Sequence, residues 1–342
     1  MEKVKLPKVC VLELTYRCNH YCKFCSCPWE DIDGSFVRGN ELTTDEWFAA
    51  IDKLYDLGIE SFSLSGGEAI LRHDIVNIIE HIRQEGLHRK IDQPMVIISN
   101  GRSLTDDLLD VFAWNRVHLS MSLPGYNTFA WHTGVDNADG VLGWFKKAKA
   151  KGLHTTAGIT VTKQNYSELY ETIALALISG AEQILLNRFL VGGRGITNRW
   201  DLELSTDQIQ GMFEIAEEVL KKAKRYGSVG TECPLCLIPH PNKYEYLTIG
   251  SKCAAASEFF VIGPSGEIRV CNHSPQVIGN IRNESIIEDT SYWNLFANHD
   301  YVPKECKSCK LVKSCVGGCR EVAHITQGSP CALDSCVERI NH

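Results

Sequence analysis

From residue 9 to about residue 190 the sequence alternates short apolar runs with longer amphipathic ones, and that alternation leaves few folds open. "VCVLELT" at 9–15 is a continuous apolar run of strand length. Further runs of this kind lie at 59–64, 94–99, 117–122, 155–162 and 183–190. Between them apolar residues recur at helical spacing. In "LTTDEWFAAIDKLYDLG" Thr43 is placed to cap and Glu46 to reach back, while Trp47, Phe48, Ile51, Leu54 and Tyr55 share one face. Gly58 supplies the stop. In "DIVNIIEHIRQEG" the stripe is Ile75, Ile78, Ile79 and Ile82. Six strand–helix units in series predict a parallel sheet with helices outside it. Periodicity alone leaves both a barrel and an open sheet standing.

In either architecture the chemistry gathers at the carboxyl ends of the strands, on the loops that lead into the helices. The unusual residues of this chain fall there. The first run is followed by "TYRCNHYCKFCSCPW", which holds Cys18, Cys22, Cys25 and Cys27. After the second comes "SGGE", Ser65 to Glu68, and after the third "SNGR", Ser99 to Arg102. The fourth carries Ser120 and Ser122, and the sixth carries Arg188 and leads into "GGRG", Gly192 to Gly195.

Fifteen cysteines in 342 residues must be given a use. The opening "MEKVKLPK" is charged and runs straight into a strand, so no signal peptide is expected. No apolar run reaches the roughly 18 to 20 residues that span a bilayer. The chain reads as cytosolic, where thiols stay reduced, and metal ligation is then the better use for them. A net charge of −7 and a pI near 6.0 argue against a phosphate-neutralising grip on nucleic acid. With 44% hydrophobic residues, the chain can bury one large core, or one core and a smaller domain.

Three thiols on one short loop can hold three corners of a cubic iron–sulfur cluster and leave the fourth iron open. A structural zinc would recruit a fourth protein ligand, which Cys27 or His20 could supply. The C-x3-C-x2-C spacing after a first strand, with Phe24 just before the third cysteine, resembles the radical S-adenosylmethionine (radical SAM) superfamily. "SGGE" looks like the GGE motif of that family, and the likeness extends over residues 9–195.

The resemblance implies an α/β fold, a partial six-stranded (β/α)6 TIM-like barrel over 9–205. In it Cys18, Cys22 and Cys25 would hold a 4Fe–4S cluster whose open iron chelates S-adenosylmethionine. Ser65, Gly66 and Gly67 would let backbone approach the methionine, and Glu68 would offer a carboxylate to its ammonium. Reductive cleavage of the cofactor would then yield a 5′-deoxyadenosyl radical that takes hydrogen from a substrate. Asn100, Ser120, Ser122 and Arg188 are weaker candidates for cofactor contacts, since each could equally be a satisfied polar group at the barrel rim. Cys27 lies outside the motif and is expected to point away as a packed thiol.

Beyond residue 205 the pattern changes. A helix over about 206–225, with Ile209, Met212, Phe213, Ala216, Val219 and Leu220 inward, leads into a connection through 252 that contains "GTECPLCLIPHP". From 253 to 336 the cysteines run C-x12-G-x4-C at Cys253, Gly266 and Cys271, then C-x2-C-x5-C-x3-C at Cys306, Cys309, Cys315 and Cys319, then Cys331 and Cys336. Two zinc sites could use eight such thiols. The spacing resembles instead the SPASM domain, which binds auxiliary iron–sulfur clusters in radical SAM enzymes. Arg320, Gly328, Asp334 and Cys336 fall at its familiar places.

By that resemblance Cys253, Cys271 and Cys319 would hold auxiliary cluster I, and Cys306, Cys309, Cys315 and Cys336 cluster II, both of the 4Fe–4S type. Cys331 is extra. A fourth ligand for cluster I could come from Cys233 or Cys236, from substrate, or from nothing. Lys304, Lys307, Lys310 and Lys313 read as a solvated face that offsets cluster charge. They also offer a docking patch to a flavodoxin or ferredoxin-type electron donor.

Enzymes resembling this layout mostly modify peptides. The expectation is therefore a radical SAM/SPASM oxidoreductase that installs a crosslink, thioether or related change in a ribosomally made peptide. The first barrel strand starts at residue 9, which leaves no room ahead of it for a leader-gripping module. A leader-bearing substrate would then be presented by a separate protein. The rival readings are a small-molecule radical SAM dehydrogenase and a non-enzymatic zinc-binding protein. No general base can be assigned from the sequence.

Overall fold

The computed structural model describes residues 4–34, 36–230, 232–238 and 240–338; the first three residues of the charged opening stretch lie outside it. The six apolar runs are strands β1 (Val9–Glu13), β2 (Ser61–Ser65), β3 (Val96–Ser99), β4 (His118–Ser122), β5 (Thr155–Val161) and β6 (Gln183–Arg188). Each pairs in parallel with the next, from Val9 opposite Ser61 to Val161 opposite Arg188.

The parallel order then continues past the six. Strands β7 (Gly227–Val229) and β8 (Leu247–Ile249) lie within the stretch that reads in sequence as a helix and a connection. Strand β9 (Phe259–Ile262) returns to the other side of β1 and pairs with it in parallel, Val9 opposite Phe259. Antiparallel β10 (Glu267–Arg269) and β11 (Gly279–Asn280) follow, which closes the order β11-β10-β9-β1-β2-β3-β4-β5-β6-β7-β8 in one sheet. The cysteine-rich C-terminal part is thus hydrogen-bonded to the first barrel strand.

The helices form where their caps and stripes place them. In Thr44–Asp56 the Thr43 hydroxyl accepts the Glu46 N–H, and the Glu46 carboxylate accepts the Thr43 N–H at 2.9 Å. Trp47, Ala50, Ile51, Leu54 and Tyr55 are buried. Phe48 sits at the edge of that face, half-buried and stacked on His81 with ring centroids 4.2 Å apart. Helix Ile75–His88 buries Ile75, Ile78, Ile79 and Ile82, and helix Thr206–Ala223 buries all six of its expected residues. None of the described helices is long and apolar enough to cross a membrane.

One buried ion pair ties these layers together. Arg72 gives Asp74 two bonds, of 2.8 and 2.7 Å, and donates to the carbonyls of Leu14 at 3.0 Å and Leu42 at 3.2 Å. Asp74 also accepts the Thr44 hydroxyl at 2.6 Å, so the end of β1, the loop after β2 and the start of the first helix meet on it. Burial alone would raise the Asp74 carboxyl, but the bonds from Arg72 and Thr44 outweigh it and hold the group down at about 2. A carboxyl depressed in the folded state contributes stability above its ordinary pKa of about 3.9 and loses it as pH falls toward 2. We therefore expect Arg72→Ala to cost about 3–5 kcal/mol in denaturant unfolding at pH 7. The variant should also lose less stability than the parent between pH 4 and pH 2.

Candidate active site

The carboxyl ends of the strands open into one cavity of about 430 Å³. Glu13, Ser65, Ser99, Ser122, Thr160 and Arg188 bring β1 to β6 to its wall in order. Two sets of thiols share that wall: Cys18, Cys22 and Cys25 from the first loop, and Cys253, Cys271 and Cys319 from the C-terminal region.

The first loop is held by its backbone. Tyr21 N–H donates to the Thr133 carbonyl at 2.9 Å, Lys23 N–H to His132 at 2.8 Å, and Gly195 N–H to Cys25 at 3.2 Å. The "GGRG" turn passes directly beneath: a Cβ on Gly193, whose φ is +48°, would lie 2.7 Å from the Cys25 carbonyl oxygen. Arg194 donates to the Cys22 carbonyl at 3.1 Å and pairs with Glu30. Burial pushes the Cys18 and Cys22 thiols up, whereas the Cys27 thiol beside Cys25 holds Cys25 below its ordinary value.

Cys27 does not point away. Its thiol lies against Cys25, reaches the Gly66 carbonyl at 3.9 Å and lines the cavity. The cause is the turn Pro28–Glu30, whose Glu30 N–H donates to the Cys27 carbonyl at 2.9 Å and folds the chain back at the cavity edge. His20, only 4% exposed, also lines the cavity, and its Nε2 is buried without a partner. Burial lowers this imidazole to about 4, so it is neutral.

The "SGGE" loop is zipped to the start of the cysteine loop. Gly67 N–H donates to the Thr15 carbonyl at 2.8 Å and Glu68 N–H to Arg17 at 2.8 Å. A Cβ on Gly67 would collide with the Arg17 carbonyl oxygen, and one on Gly66, at φ +131°, would come within 2.7 Å of Thr15. The glycines are thus required first by the neighbouring backbone. Glu68 Oε2 accepts the Asn100 N–H at 2.6 Å, while Oε1 is buried with no partner. Burial lifts this carboxyl to about 7.

The remaining candidates divide. Asn100 Nδ2 donates to Asn19 at 2.7 Å and faces the Cys18 sulfur at 3.8 Å. Phe24 and Ser122 line the cavity, and Phe24 also packs on the cluster formed by Phe189, Val191 and Leu202. Ser120, two residues back along β4, is buried and does not line it. Arg188 lines the cavity but is engaged by the C-terminal region: it pairs with Asp334 and donates to the Glu232 carbonyl at 3.1 and 3.3 Å.

The C-terminal thiols form two groups. Cys253, Cys271 and Cys319 face the cavity with Glu232, His273 and Glu321. Cys236, Cys306, Cys309 and Cys315 lie elsewhere: neither Cys236 nor the other three line the cavity, and the charges of the latter three act on Cys236. Cys336 donates to Asp334 at 2.9 Å and lies beside Cys233. Cys331 is exposed. Among the described residues no three His, Cys, Asp or Glu side chains stand close enough to hold a single metal ion.

Comparison with known proteins decides what the first loop belongs to. The family model that matches residues 12–176 describes the radical SAM superfamily. Residues 12–176 are a radical SAM domain. The PqqA peptide cyclase of Rhodopseudomonas palustris is 26% identical over 352 residues, covering 97% of this chain and 87% of that protein. Among solved structures, Streptococcus suis SuiB bound to precursor peptide SuiA superposes with a TM-score of 0.72 at 16% identity, over 97% of this chain and 76% of that one. Native anSMEcpe with bound AdoMet and Cp18Cys peptide gives 0.74 at 15% identity, over 98% and 95%. These two likenesses are likenesses of fold.

A radical SAM domain implies S-adenosylmethionine and a 4Fe–4S cluster, and the residues present fit both. Cys18, Cys22 and Cys25 are soft donors on one loop that faces the cavity. The orphaned Glu68 Oε1 is a buried acceptor that an ammonium would satisfy, and that cation would return the carboxyl to its ionised form. Sequence reading missed Glu13, which lines the cavity, pairs with the fully buried Arg269 and accepts Asn272 Nδ2 at 2.8 Å. An acid closing an otherwise apolar buried strand was the available signal.

Glu68→Gln is expected to weaken S-adenosylmethionine binding about 10- to 100-fold by equilibrium dialysis, the usual effect of losing a charge-assisted bond. Cys27→Ser should keep the iron content of the loop and the cleavage of S-adenosylmethionine, both measured after anaerobic reconstitution. Loss of iron in that variant would make Cys27 a ligand.

Proposed function

We propose that this chain is a peptide-modifying radical SAM oxidoreductase that carries two auxiliary iron–sulfur clusters in its C-terminal region, as SPASM proteins do. One observation carries the reading: the radical SAM thiols with Glu68, and the thiols Cys253, Cys271 and Cys319, open onto the same cavity. A substrate carbon held there lies between a site that starts radical chemistry and a site that can take up an electron.

When bound, the cluster and S-adenosylmethionine held by Cys18, Cys22, Cys25 and Glu68 would supply hydrogen-atom abstraction, and an auxiliary cluster held by Cys253, Cys271 and Cys319 would supply an electron acceptor. The protein's own part is positioning. Glu68, steadied by the Asn100 N–H, orients the cofactor ammonium at Oε1. Phe24, with the apolar cluster behind it, excludes water on the cysteine-loop side. The PqqA peptide cyclases and the peptide complexes of SuiB and anSMEcpe support a peptide as substrate.

A reducing cytoplasm, which keeps thiols available as metal ligands, suits a chain with fifteen cysteines. Lys304, Lys307, Lys310 and Lys313 are exposed around Cys306 and Cys309, where they offset thiolate charge. They give an acidic flavodoxin or ferredoxin-type donor a surface to approach.

The test is a division of labour. After anaerobic reconstitution with iron and sulfide, Cys18→Ala, Cys22→Ala and Cys25→Ala combined should abolish 5′-deoxyadenosine formation. Cys315→Ala should retain most of it and lose the peptide product. Undiminished cleavage in the triple variant would overturn the assignment, and zinc alone with no visible charge-transfer absorption would favour a zinc-binding protein.

A further inference from the structure

We propose that Glu232 is the fourth protein ligand of the auxiliary cluster held by Cys253, Cys271 and Cys319, and that neither Cys233 nor Cys236, which lie with the other thiol group, supplies it. The proposal rests on the auxiliary-cluster reading above.

The segment changes sides within five residues. Glu232 lines the cavity together with the three thiols, and neither Cys233 nor Cys236 does. Cys233 is fully buried beside Cys336 and Cys315. Cys236 lies among Cys315, Cys306 and Cys309, and the Leu235 N–H between them donates to the Cys315 sulfur at 3.3 Å. Glu232 and Cys233 leave the backbone on different sides, and the chain then enters the single 3-10 turn Leu235–Leu237, which carries Cys236 to the other thiols.

The placement of Glu232 is fixed from behind. Arg188 grips its carbonyl oxygen through Nε and Nη2, and the same guanidinium pairs with Asp334, whose carboxylate accepts the Cys319 N–H at 2.9 Å. Glu232 and Cys319 therefore hang on one buried ion pair. The Glu232 carboxylate acts on both the Cys253 and Cys319 thiols. From another residue it accepts a long bond, 3.4 Å, donated by the N–H of Ala254, the residue after Cys253, and its own N–H also faces it.

Glu321 is the competing carboxylate, and it is already engaged. Its Oε1 accepts the Tyr292 hydroxyl at 3.1 Å and its Oε2 meets His324 at 3.3 Å. A carboxylate tethered by two other side chains cannot turn to a metal without breaking both bonds, whereas Glu232 has no side-chain hydrogen-bond partner among the described residues and, from another residue, only the long bond donated by the Ala254 N–H. A carboxylate is a harder donor than a thiolate, so the iron it holds would be the one most readily exchanged or lost.

The experiment uses the full chain carrying Cys18→Ala, Cys22→Ala and Cys25→Ala, reconstituted anaerobically with iron and sulfide, so that only auxiliary clusters contribute. Iron per chain and the electron paramagnetic resonance spectrum of the reduced protein are measured. Glu232→Ala and Glu232→Gln should each lose about one iron atom per chain and the signal of one cluster, leaving the other signal as a check that the variant is folded. Glu232→Cys should restore the iron with a shifted spectrum. Cys236→Ser should alter only the other signal. Glu232 variants that match the parent in iron and spectrum, or a cavity-side signal lost in Cys233→Ser, Cys236→Ser or Glu321→Gln instead, would overturn the ligand assignment while leaving the clusters in place. A parent that takes up no iron at all would overturn the auxiliary-cluster reading, and this assignment with it.

Discussion

The contact between Arg188 and Asp334 is where the two parts of the molecule become one site. Arg188 ends β6 and reaches the cavity, while Asp334 belongs to the last described segment of the chain. Both side chains are buried, and a buried pair is tolerable only if its remaining donors and acceptors are met. Here they are. Asp334 takes the Cys319 N–H, the Cys336 N–H at 3.2 Å and the Cys336 thiol, and Arg188 takes the Glu232 carbonyl. Three of the C-terminal site residues are thereby positioned relative to a barrel strand. The β1–β9 pairing performs the coarse alignment, and this ion pair the fine one.

A second constraint is close approach of backbone. The cysteine loop is clamped between "SGGE", which hydrogen-bonds to Thr15 and Arg17, and "GGRG", which runs beneath Cys25. Side chains at Gly66, Gly67 or Gly193 would push these loops apart by more than a flexible neighbour could absorb, because the atoms they would meet are carbonyl oxygens of the backbone. Fixing the loop in this way sets three thiols before any metal arrives, which lowers the ordering cost of binding one.

The legibility of the sequence follows from which signals have a period. Strands β1 to β6 and the helices Thr44–Asp56, Ile75–His88 and Thr206–Ala223 announce themselves through caps and apolar stripes long enough to repeat. Strands β7, β8, β10 and β11 have two or three residues each, too few to show alternation, and they are strands because the sheet edge beside them offers partners. Cysteine spacing carried the loop but not the direction of Cys27, since a turn closed by Pro28 decides that direction after the motif ends. Glu232 was invisible for a related reason. It precedes a C-x2-C pair that draws attention to itself, and only the three-dimensional path shows the carboxylate and the thiols parting company.

Native interiors rarely leave buried polar atoms unpaired, because each costs about 1–3 kcal/mol. Here the residues lining the cavity include two such atoms, Glu68 Oε1 and His20 Nε2, and Arg269 Nε is a third beside it, with Arg269 paired to the cavity residue Glu13. Two of the three sit in otherwise satisfied surrounds: Glu68 has its other oxygen on Asn100, and Arg269 donates to the carbonyls of Asn272 and Ser274 at 3.1 Å. The surrounding structure holds these atoms in place against that cost. Their shared position, on or next to one wall with the thiols of two regions, is what a site built to be completed by polar ligands requires.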